Sequence, residues 1–92
     1  MIADNHDTRT TSGASTISLL AAWHVDNAGV VAAAVNIRER DAAGRIVVPL
    51  HIPAGSSVGN EYAHPLNVDG GGPWYVEIVA GASVTVSLSG RK

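Results

Sequence analysis

The chain has no cysteine and no phenylalanine, and its 92 residues include only two tryptophans, two tyrosines and one methionine. Without cysteine there is no disulfide to restrict the unfolded chain and no thiolate metal site. Aromatic side chains bury the largest area per residue, so a core must be assembled mainly from Val, Ile, Leu and Ala. Charge is also scarce: charged residues make up 15% of the chain, against about 25% in an ordinary soluble domain. The net charge is −2 and the six Lys and Arg residues are dispersed. Nucleic-acid binding needs a basic patch, and the nearest approach to one, Arg38, Arg40 and Arg45, is interleaved with Glu39 and Asp41. No apolar run reaches the roughly 20 residues of a membrane-spanning helix. The opening MIADNHDTRTTSG lacks the basic start and apolar centre of a secretory leader, so the expected place of synthesis and residence is the cytoplasm of the producing cell.

Hydrophobic residues nevertheless account for 46% of the chain. A single domain of this size buries roughly two-thirds or less of the surface that it exposes unfolded. Small core and low charge together predict apolar surface buried between subunits, and hence a homo-oligomer.

The apolar residues alternate. Val30–Ile52 is the best-registered stretch: VVAAAVNIRER, then DAAG, then RIVVPLHI. Successive strand residues point to opposite faces. Pairing Arg40 with Arg45 sets Ile37 against Val48, Val35 against Leu50 and Ala33 against Ile52, with every apolar partner on one side. The pattern predicts a hairpin with an even loop, Asp41–Gly44, in which Gly44 takes the positive-φ position. The opposite face carries Asn36, Arg38, Val47, Pro49 and His51. Proline cannot donate to a ladder, which predicts an edge or a bulge at Pro49.

The rest of the chain reads as follows. Residues 1–15 are polar and aperiodic, predicting a flexible N-terminal arm. In Thr16–Asp26, Ile17, Leu19, Ala21, Trp23 and Val25 share one face of a strand. Val58–Tyr62 is a weak strand, and His64–Pro73 is a crossing loop whose three glycines lack the following helix of a phosphate site. Trp74–Ala80 and Val84–Ser89 alternate cleanly around Gly81–Ser83 and predict a second hairpin, with Ile78 facing Val86 and Val76 facing Leu88. Residues 16–92 are therefore expected to form one all-β domain, a small antiparallel β-sandwich or partly open barrel of about six strands.

Groups able to do chemistry are few. His6, His24, His51 and His64 have no metal-site spacing. The carboxylates form no evident pair, and Ser56 and Ser57 lack a nucleophile-elbow motif. The expectation is a non-enzyme with no catalytic residue, no metal and no cofactor. Trp23 and Trp74, with Tyr62 and Tyr75, are the candidates for a packed core, an interface or a sugar-stacking platform.

The runs VNIRERDAAGRIVVPLHIPAGSSV and HPLNVDGGGPWYVEIVAGASVTVSLSG resemble a group of small bacteriophage virion proteins. The likeness spans residues 30–90. It rests on a strand ending N-x-R, a turn and second strand, A-x-S, P-L-x-V, W-Y-V-E-I and a closing V-x-V-x-L-x-G. The resemblance implies a structural module of the virion, with no catalytic residues to carry over. The expected function is that of a capsid decoration (cement) protein, a homotrimer contacting the major capsid protein or other virion proteins. The alternatives are a tail or head–tail joining component, or a carbohydrate- or receptor-binding module. The interface candidates are Asn36, Arg38, Pro49, His51, Trp23 and Trp74, together with the N-terminal arm.

Overall fold

The computed structural model describes residues 5–81 and 83–92. Met1–Asp4, at the start of the expected arm, and Ala82, in the expected Gly81–Ser83 turn, lie outside the described residues. In chain order the strands are β1 (Asn5–Arg9), β2 (Gly13–Ala14), β3 (Leu19–Asn27), β4 (Ala33–Glu39), β5 (Ile46–Ile52), β6 (Ser57–Asn67), β7 (Trp74–Ala80) and β8 (Val84–Arg91). They make two four-stranded sheets, ordered β1-β8-β3-β6 and β2-β7-β4-β5, with every pairing antiparallel. The chain is an all-β sandwich. Trp23, Val25, Val86 and Leu88 of the first sheet meet Val35, Ile37, Trp74 and Val76 of the second, all buried. Fully burying an aliphatic side chain contributes about 1.5–3 kcal/mol, so a dry layer of this kind compensates for the shortage of aromatics.

The β4–β5 hairpin keeps the predicted pairs Ala33–Ile52, Val35–Leu50 and Ile37–Val48. Its tip differs. The register shifts between Ile37 and Arg38, so Arg38 pairs with Ile46, and the Glu39 N–H donates to the Arg45 carbonyl. Val47 is the extra residue of a bulge, which turns Ile46 outward to 41% exposure. Arg40, not Gly44, takes the positive φ, at 67°. Gly44 is required for a different reason: a Cβ there would lie 1.6 Å from the Glu39 carbonyl oxygen. As Pro49 predicted, β5 is an edge strand.

Other expectations give way. The polar segment 5–15 is not an arm lying apart from the domain. β1 pairs with β8 and β2 with β7, so this stretch crosses from one sheet to the other and closes one flank of the sandwich. Its polar side chains supply the bonds that an apolar pattern would have advertised. The Ser15 hydroxyl donates to the Trp74 carbonyl at 2.7 Å, the Ser12 hydroxyl accepts the Ile78 N–H at 2.8 Å, and the Asp7 carboxylate accepts the Thr16 N–H at 2.8 Å. Such local side-chain bonds compete with regular alternation and hide it from a periodicity argument.

β7 and β8 do not form a hairpin: they belong to different sheets. Val76 and Val86 face one another across the core, and alternation alone cannot distinguish stacked strands from paired ones. In β3 a register shift between Leu20 and Ala22 changes the phase, so that Leu20, not Leu19, is buried. On β6 the same irregularity places Tyr62–Pro65 opposite the single residue Ala21, between the pairs Leu20–Leu66 and Ala22–Glu61. β6 therefore runs through His64–Asn67, where a loop was expected, and tolerates Pro65 because it is an edge strand.

Candidate functional site

The two sheets present unlike outer faces. On the first sheet the register aligns His6, Ser89, Ala22 and Glu61 in one row, and Thr8, Ser87, His24 and Gly59 in the next. A third row carries Thr85, Asp26 and Ser57. This face is a ladder of short hydroxyl side chains flanked by two imidazoles. The His6 ring shares a hydrogen bond of 2.9 Å with the Ser89 hydroxyl. Gly59 matters because the His24 ring lies over it: a Cβ there would sit 2.9 Å from His24 Nδ1. The small residues Ala22 and Gly59 leave a concavity of about 390 Å³, walled by His24, Asn60, Glu61, Ser87 and Ser89. It supplies donors and acceptors to a polar ligand, but no exposed aromatic plane.

Sequence reasoning missed this concavity. Its residues come from β3, β6 and β8, and only the strand order brings them together. The two-residue alternation of His24 and Asp26, and of Ser87 and Ser89, was the available signal that they face outward.

The outer face of the second sheet carries four of the predicted interface residues. Asn36 and Arg38 are half-buried and converge on Glu77. The Asn36 amide donates to Glu77 Oε1 at 2.8 Å and the Arg38 guanidinium at 3.0 Å. Those two bonds hold the Glu77 carboxyl below its ordinary pKa of 4.5. Arg38 also donates to the Gly44 carbonyl at 2.8 Å, so it secures the hairpin tip. Pro49 and His51 are exposed on the edge strand β5.

Trp23 and Trp74 do not join them. Trp74 is 1% exposed and its indole donates to the Leu66 carbonyl at 3.2 Å; Trp23 is 8% exposed and donates to the Tyr62 hydroxyl at 2.9 Å. Both rings are core, so neither offers a stacking platform on this surface. Among the described residues, no three His, Asp or Glu side chains are grouped so as to hold a metal ion.

The hairpin tip holds a buried charge. Glu39 is 5% exposed, accepts the Asp69 N–H at 3.0 Å and pairs with Arg45 at 3.3 Å. The bond from Asp69, followed by that from Arg45, pulls its pKa below 4.5. Beside it the Arg40 guanidinium donates to the Asp69 and Gly71 carbonyls. It lies against Gly70–Gly72, all at positive φ, and the triple glycine is thus a cradle for Arg40. The depressed Glu39 pKa stabilises the fold fully above 4.5, and this contribution is lost as pH falls through the lowered folded-state value. Glu39→Gln is expected to be less stable than the parent in urea unfolding at pH 7. The gap should narrow at pH 3; a pH-independent gap would show that the charge does not matter.

No protein-family model, curated protein or solved structure matches the chain.

Proposed function

We propose that the chain is a non-enzymatic virion structural protein, a capsid decoration protein that stabilises a phage head through repeated contacts as a homo-oligomer. The observation that carries this reading is the shape. The sandwich measures 36 × 29 × 17 Å, a thin tile whose outer faces are ladders of mostly short side chains. Its carboxylates are spent on structure: Glu39 holds a tip, Glu77 anchors Asn36 and Arg38, and Asp7 clips β1 to the chain at Thr16. Tiles of this kind gain stability by multiplying modest contacts over many copies. The resemblance over residues 30–90 points the same way.

Surface attachment falls to Pro49 and His51, at the open edge of the second sheet, and to the polar ladder of the first. Residues 5–15 are sheet-forming, so attachment through them would use the outer edges of β1 and β2. The concavity beside His24 favours a second reading, a carbohydrate- or receptor-binding module. That reading must work through Asn60, Glu61 and the Ser87–Ser89 hydroxyls, because both indoles are buried.

Mass spectrometry and imaging of purified particles test the proposal. The chain is expected on the outside of the head at a fixed ratio to the major head subunit. Its absence from particles, or its confinement to the tail, would overturn the decoration role.

A further inference from the structure

The two ends of the sandwich differ in a way that neither outer face shows. One end carries Arg40, Asp41, Arg45, Asp69, Arg91 and Lys92 on its loops and chain end. The other is built from the β3–β4, β5–β6 and β7–β8 connections, and its described residues include no charged side chain. Here Val30 is 94% exposed, Val31 58% and, alongside on β7, Val79 59%. Exposed single valines are ordinary; three at one uncharged end form a patch.

The patch is held in place. Asn27 is 1% exposed and its amide nitrogen donates to the Val31 carbonyl at 2.9 Å, the Ile52 carbonyl at 3.1 Å and the Pro53 carbonyl at 3.3 Å. Its Oδ1 accepts the Gly29 N–H at 3.0 Å. One buried side chain thus ties the β3–β4 loop to the β5–β6 loop and presents Val30 and Val31 outward. Ordering the loop before contact lowers the entropy cost of binding.

We infer that this end is the surface through which a second copy of the chain docks. Three observations select that occupant. The end has no Lys or Arg for phosphates or anionic lipids, and no Trp or Tyr of the kind that anchors proteins at membrane interfaces. An uncharged surface can meet its own copy without like-charge repulsion. The end is also self-complementary in size: the Val30–Val31 knob lies beside a platform of Pro53, Ala54 and Gly81, so the knob of one copy can rest on the platform of the next. The exposed patch amounts to about 600 Å² per copy, somewhat below the ~800 Å² per partner of a standard interface. The contact is therefore a reversible one, formed at micromolar concentrations and reinforced when copies are gathered on a lattice. This inference deepens the oligomer proposed above and stands apart from the virion assignment.

Sedimentation velocity of the full chain over a concentration series tests it. The parent is expected to associate reversibly. Val30→Asp should weaken association by about tenfold or more, as removal of a central anchor does, with unchanged thermal unfolding because the side chain is almost wholly exposed. Ile46→Asp, at the opposite end and 41% exposed, should leave association intact. A parent that stays monomeric at millimolar concentration would overturn the inference. So would equal association of the parent and Val30→Asp, equal weakening by both variants, or flotation of a monomer on neutral phosphatidylcholine vesicles. None of these outcomes touches the particle test, so the two proposals fail separately.

Discussion

Trp74→Ala is expected to lower unfolding stability by about 3–5 kcal/mol, enough to leave the chain largely unfolded at 37 °C if it sits low in the usual range of about 5–15 kcal/mol. The residue is the largest of the fully buried side chains, in a chain with only three other aromatics. Three further ties pass through it. The Trp74 N–H donates to the Ile17 carbonyl, its carbonyl accepts both the N–H and the hydroxyl of Ser15, and its indole donates to Leu66. Removing the ring therefore opens a cavity where β7, β6 and the segment following β2 meet. Urea titration monitored by far-ultraviolet circular dichroism checks this. Trp74→Phe provides the comparison: it keeps most of the volume and loses the indole bond, so its cost should be about 1–2 kcal/mol. Equal losses in the two variants would show that the hydrogen bond, and not the ring volume, carries the effect.

Gly90→Ala is expected to be comparably damaging, by about 3 kcal/mol, at the upper end for an overpacked site. A Cβ at Gly90 would lie 1.8 Å from the Leu19 carbonyl oxygen and 3.1 Å from the Ala21 nitrogen. Both contacts are with backbone, so no side chain can rotate away. β8 cannot retreat either, because Gly90 pairs with Asn5 on one side and Leu20 on the other. Gly44 offers the contrast. Its Cβ would come as close, at 1.6 Å from the Glu39 carbonyl oxygen, but it lies at a hairpin tip that can open toward solvent. Gly44→Ala should therefore cost less than Gly90→Ala in the same thermal unfolding measurement. The reverse order would mean that the Arg40–glycine cradle at the tip is stiffer than the β8–β3 seam.

Much of the architecture is legible in the residues themselves. The all-β class follows from alternation in five segments, and the β4–β5 pairs follow from matching Val35, Ile37, Val48 and Leu50 on one face. Pro49 announces an edge, because a residue without an N–H cannot sit between two ladders. Alternation says which face of a strand is apolar, but not which strand lies beside it. Val76 and Ile78 fit Val86 and Leu88 equally well as lateral neighbours or as partners across the core, and the sandwich adopts the second arrangement. Bulges are similarly hidden. The extra residues Val47 and Ala21 change the phase of β5 and β3 without any mark in composition.

The candidate surfaces divide along the same line. Asn36, Arg38, Pro49 and His51 could be placed on one outward face from period-two spacing alone, since they belong to one local hairpin. The concavity beside His24 could not, because Ala22, Gly59 and Ser87 are joined only by the order β8-β3-β6. The lack of cysteine, the thin supply of aromatics and the low charge were decided by the sequence: they dictate a small aliphatic core without covalent or thiolate support. Tertiary structure alone decided where the two tryptophans went. Each indole needs both an apolar bed and a hydrogen-bond acceptor, and only the packed sheets supply the Leu66 carbonyl and the Tyr62 hydroxyl at that spot. It also decided that three uncharged loops, distant in the chain, share one end, because loop position follows strand direction and strand direction is set by long-range pairing.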